Sequence, residues 1–306
     1  MGKFEINILG CGSALPTLRH YPSTQVLNIR DNLFMIDCGE GAQIQFRRMH
    51  LKFTRLGHIF LSHLHGDHCF GLIGMISTLS LLGRTGELVI HAHPQAEAVF
   101  RPQLDFFCRE LPFAVRFEPV VPNRSEVIYE DRSIRVTSLP LIHRVPCSGF
   151  LFEEKPGQLH LRGDMVKFYD IPIYRRAEIK AGADYTTPDG QIVPNARLTT
   201  PADEPLRYAY CSDTAYNEAL IPLIRGVDCL YHEATFGDDA EELARLTCHS
   251  TARQAARMAR KAAVKQLLLG HFSARYDDEQ PLCDEASQEF TPCMLAHEGM
   301  KIVLGR

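Results

Sequence analysis

Short runs of alternating apolar and polar residues mark the first half of the chain. Residues 4–9 (Phe-Glu-Ile-Asn-Ile-Leu) follow this period of two and end in Gly10-Cys11-Gly12-Ser13, which predicts a strand closed by a turn. Residues 25–30 and 33–37 predict a hairpin about Asp31-Asn32, and Asp37-Cys38-Gly39-Glu40-Gly41 then opens a helix over 42–50. The apolar run 58–61 reads as a buried strand, 72–82 as a helix and 88–92 as another strand. A helix broken near Pro102 is expected over 95–111, followed by strands at 113–117, 126–130 and 134–139. This is a β-rich layout with intervening helices and no short-period repeat.

Several apolar runs end in the same kind of residue. The run 58–61 leads into Ser62-His63-Leu64-His65-Gly66-Asp67-His68, three imidazoles and one carboxylate within six residues. The run 139–142 ends at His143, 206–211 at Ser212-Asp213, and 264–269 at Gly270-His271. Ligands gather at strand ends, where loops converge on a rigid scaffold. His63 and His65 can converge on one cation while Asp67 and His68 turn to a second. Imidazole and carboxylate are zinc ligands, and two close metals suit hydrolysis of phosphate esters. A further strand, 227–230, precedes Tyr231-His232-Glu233-Ala234-Thr235-Phe236. Cys248-His249-Ser250-Thr251 precedes an Ala-rich amphipathic helix over 252–263, with Ser250 or Thr251 as its N-cap. The plainest account of this part gives His249 a surface position before the cap and Glu233 a place at a helix start.

Between residues 153 and 200 the pattern changes to turn residues and charge without sustained apolar periodicity. This predicts an inserted arm or small subdomain, with Arg175, Arg176 and Lys180 as its densest basic group and neighbouring acids nearly cancelling their charge. Composition adds little to this picture but narrows the classes. The chain has 306 residues and 45% hydrophobic content, enough for one large globular domain. No apolar run approaches a membrane span. Met1-Gly2-Lys3-Phe4-Glu5 moves straight into a strand pattern without signal-peptide architecture. Ten scattered cysteines with no C-x-x-C pair, among them Cys38, Cys211 and Cys229 in apolar stretches, fit a reduced, cytoplasmic protein. A net charge of −4 gives no global sign of nucleic-acid binding, so such a partner requires a local basic patch.

Taken together, these stretches resemble the ribonuclease Z family, the tRNA 3′-processing endonucleases of the metallo-β-lactamase superfamily. The resemblance runs through Gly10-Cys-Gly-Ser-Ala, Phe34-Met-Ile-Asp37-Cys-Gly-Glu, Ser62 to His68, His143, Cys211-Ser-Asp213-Thr, His232-Glu-Ala-Thr-Phe and Gly270-His-Phe-Ser-Ala-Arg-Tyr276. It implies an α/β fold: an αββα sandwich of two mixed sheets with outer helices, one domain over 1–306 carrying the inserted arm at 153–200. It implies two Zn2+ per chain, with Mn2+ or Fe2+ as other metals suited to such ligands. His63, His65 and His143 would hold the first, Asp67, His68 and His271 the second, and Asp213 would bridge them. Asp37 matches a buried aspartate that orients ligands. Asp67 matches the proton acceptor, and Glu233 with His249 the pair near the leaving oxygen. Ser273 and Arg275 are placed to contact phosphate, Arg275 alternatively to sit in a buried ion pair. The resemblance further implies precursor tRNA as substrate, gripped by the arm through Arg175, Arg176 and Lys180, a homodimer, and no organic cofactor or membrane.

Two stretches depart from the family pattern. Where a Pro-x-Lys-x-Arg-Asn loop is usual, this chain has Pro16-Thr-Leu-Arg-His-Tyr-Pro22, and Asp170-Ile-Pro-Ile-Tyr-Arg-Arg176 lacks the arm's Gly-Pro. These changes touch tRNA affinity, cleavage position and discrimination against a finished CCA end, and leave the hydrolytic residues intact. Two competitors follow: a zinc phosphodiesterase for other RNA or small diesters, and an RNA-binding protein whose metal is structural. The spare acid–base pair Glu233–His249 argues against the latter, because a structural site needs none.

Overall fold

A computed structural model describes residues 4–305; Met1–Lys3, ahead of the first predicted strand, and Arg306 lie outside the described residues. The chain separates into two compact units, residues 4–153 with 207–305, and residues 154–206.

In the larger unit two seven-stranded sheets form. The first runs in the order Lys301–Val303, Phe4–Gly10, Thr24–Ile29, Asn32–Ile36, Leu56–Phe60, Leu88–Ala92, Val115–Pro119. The second runs Cys293–Leu295, Leu267–Gly270, Cys229–Glu233, Arg207–Cys211, Ser148–Glu154, Ile134–Pro140, Val127–Glu130. Each sheet mixes antiparallel and parallel pairs. The sheets face one another through aromatic rings: Phe34 lies 6.2 Å from Phe152, and Phe60 lies 5.5 Å from Phe150. Burial of such rings is the main apolar gain of a two-sheet core. The outer side of the first sheet is covered by Ala42–Arg48, Leu72–Leu81 and Ala96–Phe107, whose Phe46, Ile76, Leu79, Phe100 and Leu104 join strand residues in one apolar cluster. On the second sheet Ala252–Lys261 buries Ala252, Ala255, Ala256 and Ala259, small side chains that let a helix approach closely.

Most predicted elements appear within two residues of their expected ends, and four details differ. The helix Ala96–Phe107 runs through Pro102 unbroken. Pro102 and Ala98, the residue whose carbonyl loses a donor, are both solvent-exposed, so water replaces the missing bond, while Ala96, Phe100 and Leu104 hold one buried face. The hairpin turns at Arg30-Asp31, both with positive φ (51° and 69°), one residue earlier than expected, with Ile29 paired to Asn32. The strand before His143 stops at Pro140, so His143 stands on the following loop. The strand expected at 227–230 extends over Cys229–Glu233, which makes Glu233 a fully buried strand residue rather than a helix start. Thr251 caps the Ala-rich helix in a reciprocal capping box with Gln254.

The smaller unit has its own core. Ile171, Ile179, Tyr185, Val193 and Leu198 are buried together, supplied by the helices Ile173–Lys180 and Asn195–Leu198, the short ladder Tyr185–Thr186 with Ile192–Val193, and a loop, with Met165 and Val166 of the helix Gly163–Phe168 packed against them. These residues come singly from two short helices, two two-residue strands and a loop, which explains why no period shows in the sequence.

Candidate metal centre

Four carboxylates and six histidines converge at the strand ends of the larger unit. His63 Nε2 lies 2.9 Å from His65 Nδ1, and His143 Nε2 lies 3.3 Å from the same atom. Asp213 Oδ2 stands 3.6 Å from His63 Nε2 and 3.8 Å from His143 Nε2. On the other side, His68 Nε2 is 3.3 Å from His271 Nε2 and 3.3 Å from Asp67 Oδ2. Asp213 Oδ1 is 3.2 Å from His68 Nε2 and 3.1 Å from His271 Nε2. The two oxygens of Asp213 thus serve two separate clusters. Metal–nitrogen bonds of about 2.0–2.1 Å in a tetrahedron put ligand atoms about 3.4 Å apart, so the spacings in both clusters suit a cation at each centre.

Other contacts fix which nitrogen faces inward. His68 donates from Nδ1 to Asp37 Oδ2 at 2.7 Å, and Asp37 also accepts from Ser62 N at 2.7 Å and Tyr210 Oη at 2.7 Å. His143 donates from Nδ1 to the Cys248 carbonyl at 3.2 Å. His271 Nδ1 lies 2.9 Å from Thr235 Oγ1, which donates to Glu233 Oε2 at 2.5 Å. Such partners orient an imidazole and leave the other nitrogen with its lone pair. Asp37, Asp213 and His271 all adopt positive φ (56°, 52° and 59°), a costly backbone state that turns each side chain into the centre. Gly71 has no room for a side chain, since a Cβ there would stand 2.0 Å from the Gly39 carbonyl; this lets the Asp37 and His68 loops lie against one another.

The electrostatics suit cations. Burial holds His63, His65 and His143 below the usual imidazole range, so they are neutral, the form that ligates. His68 behaves oppositely: burial works against its charge, but Asp213, Asp37 and Asp67 outweigh it and hold its pKa well above the ordinary value. Three carboxylates around one imidazole attract a proton for the reason they attract a metal ion. Asp213 and Asp67 are correspondingly held below the carboxylate range by the histidines, against the effect of burial.

Beside the clusters sits an acid–base pair. His249 donates from Nδ1 to Glu233 Oε1 at 2.8 Å, and Glu233 Oε1 also accepts from Thr214 N at 2.7 Å. Burial would lower His249, but the Glu233 carboxylate raises its pKa to about 9. The His249 and His271 rings stack at 5.4 Å. A cavity of about 830 Å³ opens over the centre and includes His65, Asp67, Asp213, His249, His271, Ser273 and Arg275 in its walls. Arg275 is exposed and lies over the Phe236 ring at 5.4 Å, so it faces the cavity and forms no buried ion pair. The arm residues are placed differently from a free basic patch: Arg175 pairs with Glu178 at 2.9 Å, and Arg176 donates to the Ile171 carbonyl. Sequence reasoning missed Thr235, Thr214 and Tyr210. Thr235 and Thr214 carried a signal, their places in the His-Glu-Ala-Thr and Cys-Ser-Asp-Thr stretches, and Tyr210 carried none.

Two mixed sheets with outer helices and this histidine–aspartate centre define a protein of the metallo-β-lactamase fold. The structure is similar to the metallo-β-lactamase fold protein YhfI of Bacillus subtilis, at a TM-score of 0.69 and 18% identity over 98% of this chain and 99% of that one. It is also similar to human tRNase Z, short form, at a TM-score of 0.72 and 24% identity over 99% and 100% of the two chains. A family profile described as anti-Pycsar protein Apyc1 matches residues 4–155. The ribonuclease Z of Parabacteroides distasonis is 56% identical over 302 residues, 99% of each chain. The chain belongs to the ribonuclease Z family.

Proposed function

We propose that the protein is a zinc-dependent endoribonuclease that hydrolyses the phosphodiester joining the 3′ trailer to precursor tRNA and leaves a 3′-hydroxyl. The observation that carries this reading is the division of Asp213 between two histidine clusters beneath an open cavity that also holds the Glu233–His249 pair. His63, His65, His143 and Asp213 would hold one zinc, and Asp67, His68, His271 and Asp213 the other. Bound there, two divalent cations supply an acidified water and neutralise charge growing on the phosphate. Asp67, with an oxygen on the cavity side, accepts the proton of the attacking water. His249, kept protonated by Glu233, gives a proton to the departing ribose 3′ oxygen, a strongly basic leaving group. Ser273 and Arg275 contact the phosphate from the cavity wall. Residues 154–206 serve as an arm that binds tRNA, through Arg175, Arg176 and Lys180, in a homodimer working in the cytoplasm. The ten free cysteines suit that reducing compartment, and no helix among the described residues is long and apolar enough to cross a membrane.

The test is to reconstitute purified protein with zinc, measure at least about two metals per chain, and incubate it with a trailer-bearing precursor tRNA while mapping both product ends. The expected products are a tRNA with a 3′-hydroxyl and a 5′-phosphorylated trailer, both lost after chelation. Intact precursor alongside rapid hydrolysis of a small phosphodiester would move the assignment to a small-substrate phosphodiesterase, the reading that the arm's mixed charge and missing Gly-Pro favour.

A further inference from the structure

A second group of ligand-type side chains lies away from the catalytic residues. Cys11 follows the strand Phe4–Gly10, His20 belongs to the loop that departs from the family pattern, and Glu298 sits in the turn between Cys293–Leu295 and Lys301–Val303. Cys11 Sγ is 3.4 Å from His20 Nδ1 and 3.7 Å from Glu298 Oε1, and His20 Nδ1 is 3.0 Å from Glu298 Oε2. Sulfur, ring nitrogen and the two oxygens of the Glu298 carboxylate thus close a triangle of three side chains, which the Ala296 carbonyl borders, accepting from the same sulfur at 3.4 Å, while Glu298 Oε1 also accepts from Tyr21 N at 2.8 Å.

We propose that Cys11, His20 and Glu298 form a third metal site, for zinc or another divalent ion that accepts thiolate, which staples the Pro16–Pro22 loop to the C-terminal turn.

Three observations support it. The spacings match a tetrahedral zinc, for which a sulfur bond of about 2.3 Å and a nitrogen bond of about 2.0–2.1 Å place sulfur and nitrogen about 3.5 Å apart. The donor set, one sulfur, one imidazole and one carboxylate, is of the kind zinc takes, and differs from the sulfur-free catalytic clusters. The outer partner is also in place: His20 Nε2 faces Glu279 Oε1 at 3.2 Å, the carboxylate contact that a ligating histidine uses to fix its tautomer. Without a cation, both ring nitrogens face carboxylates, so His20 must carry two protons and Cys11 one. Metal binding releases the Cys11 thiol proton and the His20 Nδ1 proton to solvent, and Nε2–H continues to donate to Glu279. The site would matter to the reaction through the loop. Arg19 and His20 both reach Glu279, and Leu15, Pro16 and Pro22 line the cavity over the catalytic centre.

Cobalt(II) is the probe. Full-length protein stripped of metal and saturated with Co2+ should show a near-ultraviolet thiolate-to-cobalt charge-transfer band, which the His and Asp ligands of the catalytic centre do not produce. Cys11→Ser should abolish the band and lower bound metal from about three to about two ions per chain. His20→Gln keeps the thiol and should weaken the band strongly, which keeps the test decisive if Cys11→Ser does not fold. Absence of the band at saturation overturns the proposal and leaves His20 as a protonated clasp between two glutamates. Persistence of the band in Cys11→Ser also overturns it and points to another cysteine, such as Cys147, 3.7 Å from His63 Nδ1.

Discussion

Replacing Glu233 with glutamine removes one negative charge and almost no volume. Glu233 is fully buried, and its Oε1 accepts from both His249 Nδ1 and Thr214 N. A glutamine oxygen can keep both bonds, and the Thr235 hydroxyl can turn to accept from the new amide, so the fold should survive. What goes is the charge that lifts His249 to about 9 against burial. With that support lost, His249 falls to its ordinary value near 6.5 or below. At pH 7.5 the protonated fraction then drops from about 97% to about 10%, and at pH 8.5 from about three quarters to about 1%. Glu233→Gln should therefore cost little at pH 6, about tenfold at pH 7.5 and nearly a hundredfold at pH 8.5. Divalent cations at Asp213 lower His249 in both proteins alike, so the firm prediction is the separation of their alkaline limbs, about 2.5 pH units. The assay is kcat/KM against pH for precursor tRNA, which reports groups of the free enzyme, repeated with an activated diester whose leaving group needs no proton. The activated substrate should show little of the shift. An unmoved limb, or equal losses on both substrates, would refute His249 as the proton donor and leave Glu233 a purely structural acceptor.

Other consequences are equally direct. His249→Ala should retain its metal but slow tRNA cleavage by roughly 10²–10⁴-fold, as judged by elemental analysis and single-turnover kinetics. The triple change of Arg175, Arg176 and Lys180 to Ala should weaken precursor-tRNA binding and flatten its salt dependence while sparing a small diester; because Arg175 and Arg176 already have partners in the arm, a slope change of about 1–2 is expected. Loss of small-diester turnover with tRNA binding intact would make the arm a support for the active site. Burial holds His91 down to about 3 and His58 to about 4, with their rings stacked at 5.4 Å. The folded state therefore keeps them neutral while the unfolded chain takes up protons, so their contribution is intact above about pH 6.5 and is lost progressively from there down to about 4 for His58 and about 3 for His91. His91→Gln should flatten the fall in melting temperature between pH 7 and pH 5, and an unchanged fall would assign acid sensitivity to other groups.

What the chain disclosed beforehand follows from the range of each interaction. The His63 to His68 cluster was legible because its residues are neighbours, and the strands that present Asp213 and His271 were legible as apolar runs with abrupt polar ends. The strand Ser148–Glu154 was hidden, since its run follows the Pro146-Cys147 turn and ends in two glutamates that read as the start of a loop. Tyr210 was hidden for a different reason: its phenol meets Asp37 across 173 residues of sequence, and a buried tyrosine in an apolar strand looks like core. Thr235 bridges His271 and Glu233 through a hydroxyl whose role depends on two strands lying side by side. The inserted unit was visible as a break in pattern, but its core was not, because it draws single residues from many short elements.

The same network explains why this centre belongs to the seam between the sheets. Asp37 ends a strand of the first sheet, and it accepts from Tyr210 of the second while orienting His68. Glu233 ends a strand of the second sheet, and through Thr235 it orients His271 while holding His249 directly. Asp37, Asp213 and Glu233 are thus three buried carboxylates close together, an arrangement that costs several kcal/mol per unpaired charge. Protonated His249 offsets part of that charge, and cations between the sheets, taking the place of the His68 proton, would offset the rest. The strain at Asp37, Asp213 and His271 is of the same kind, a backbone cost that ligand geometry returns. The sheets are therefore joined by apolar rings along their length and by charge at one end, and the charged end is the one that can do chemistry.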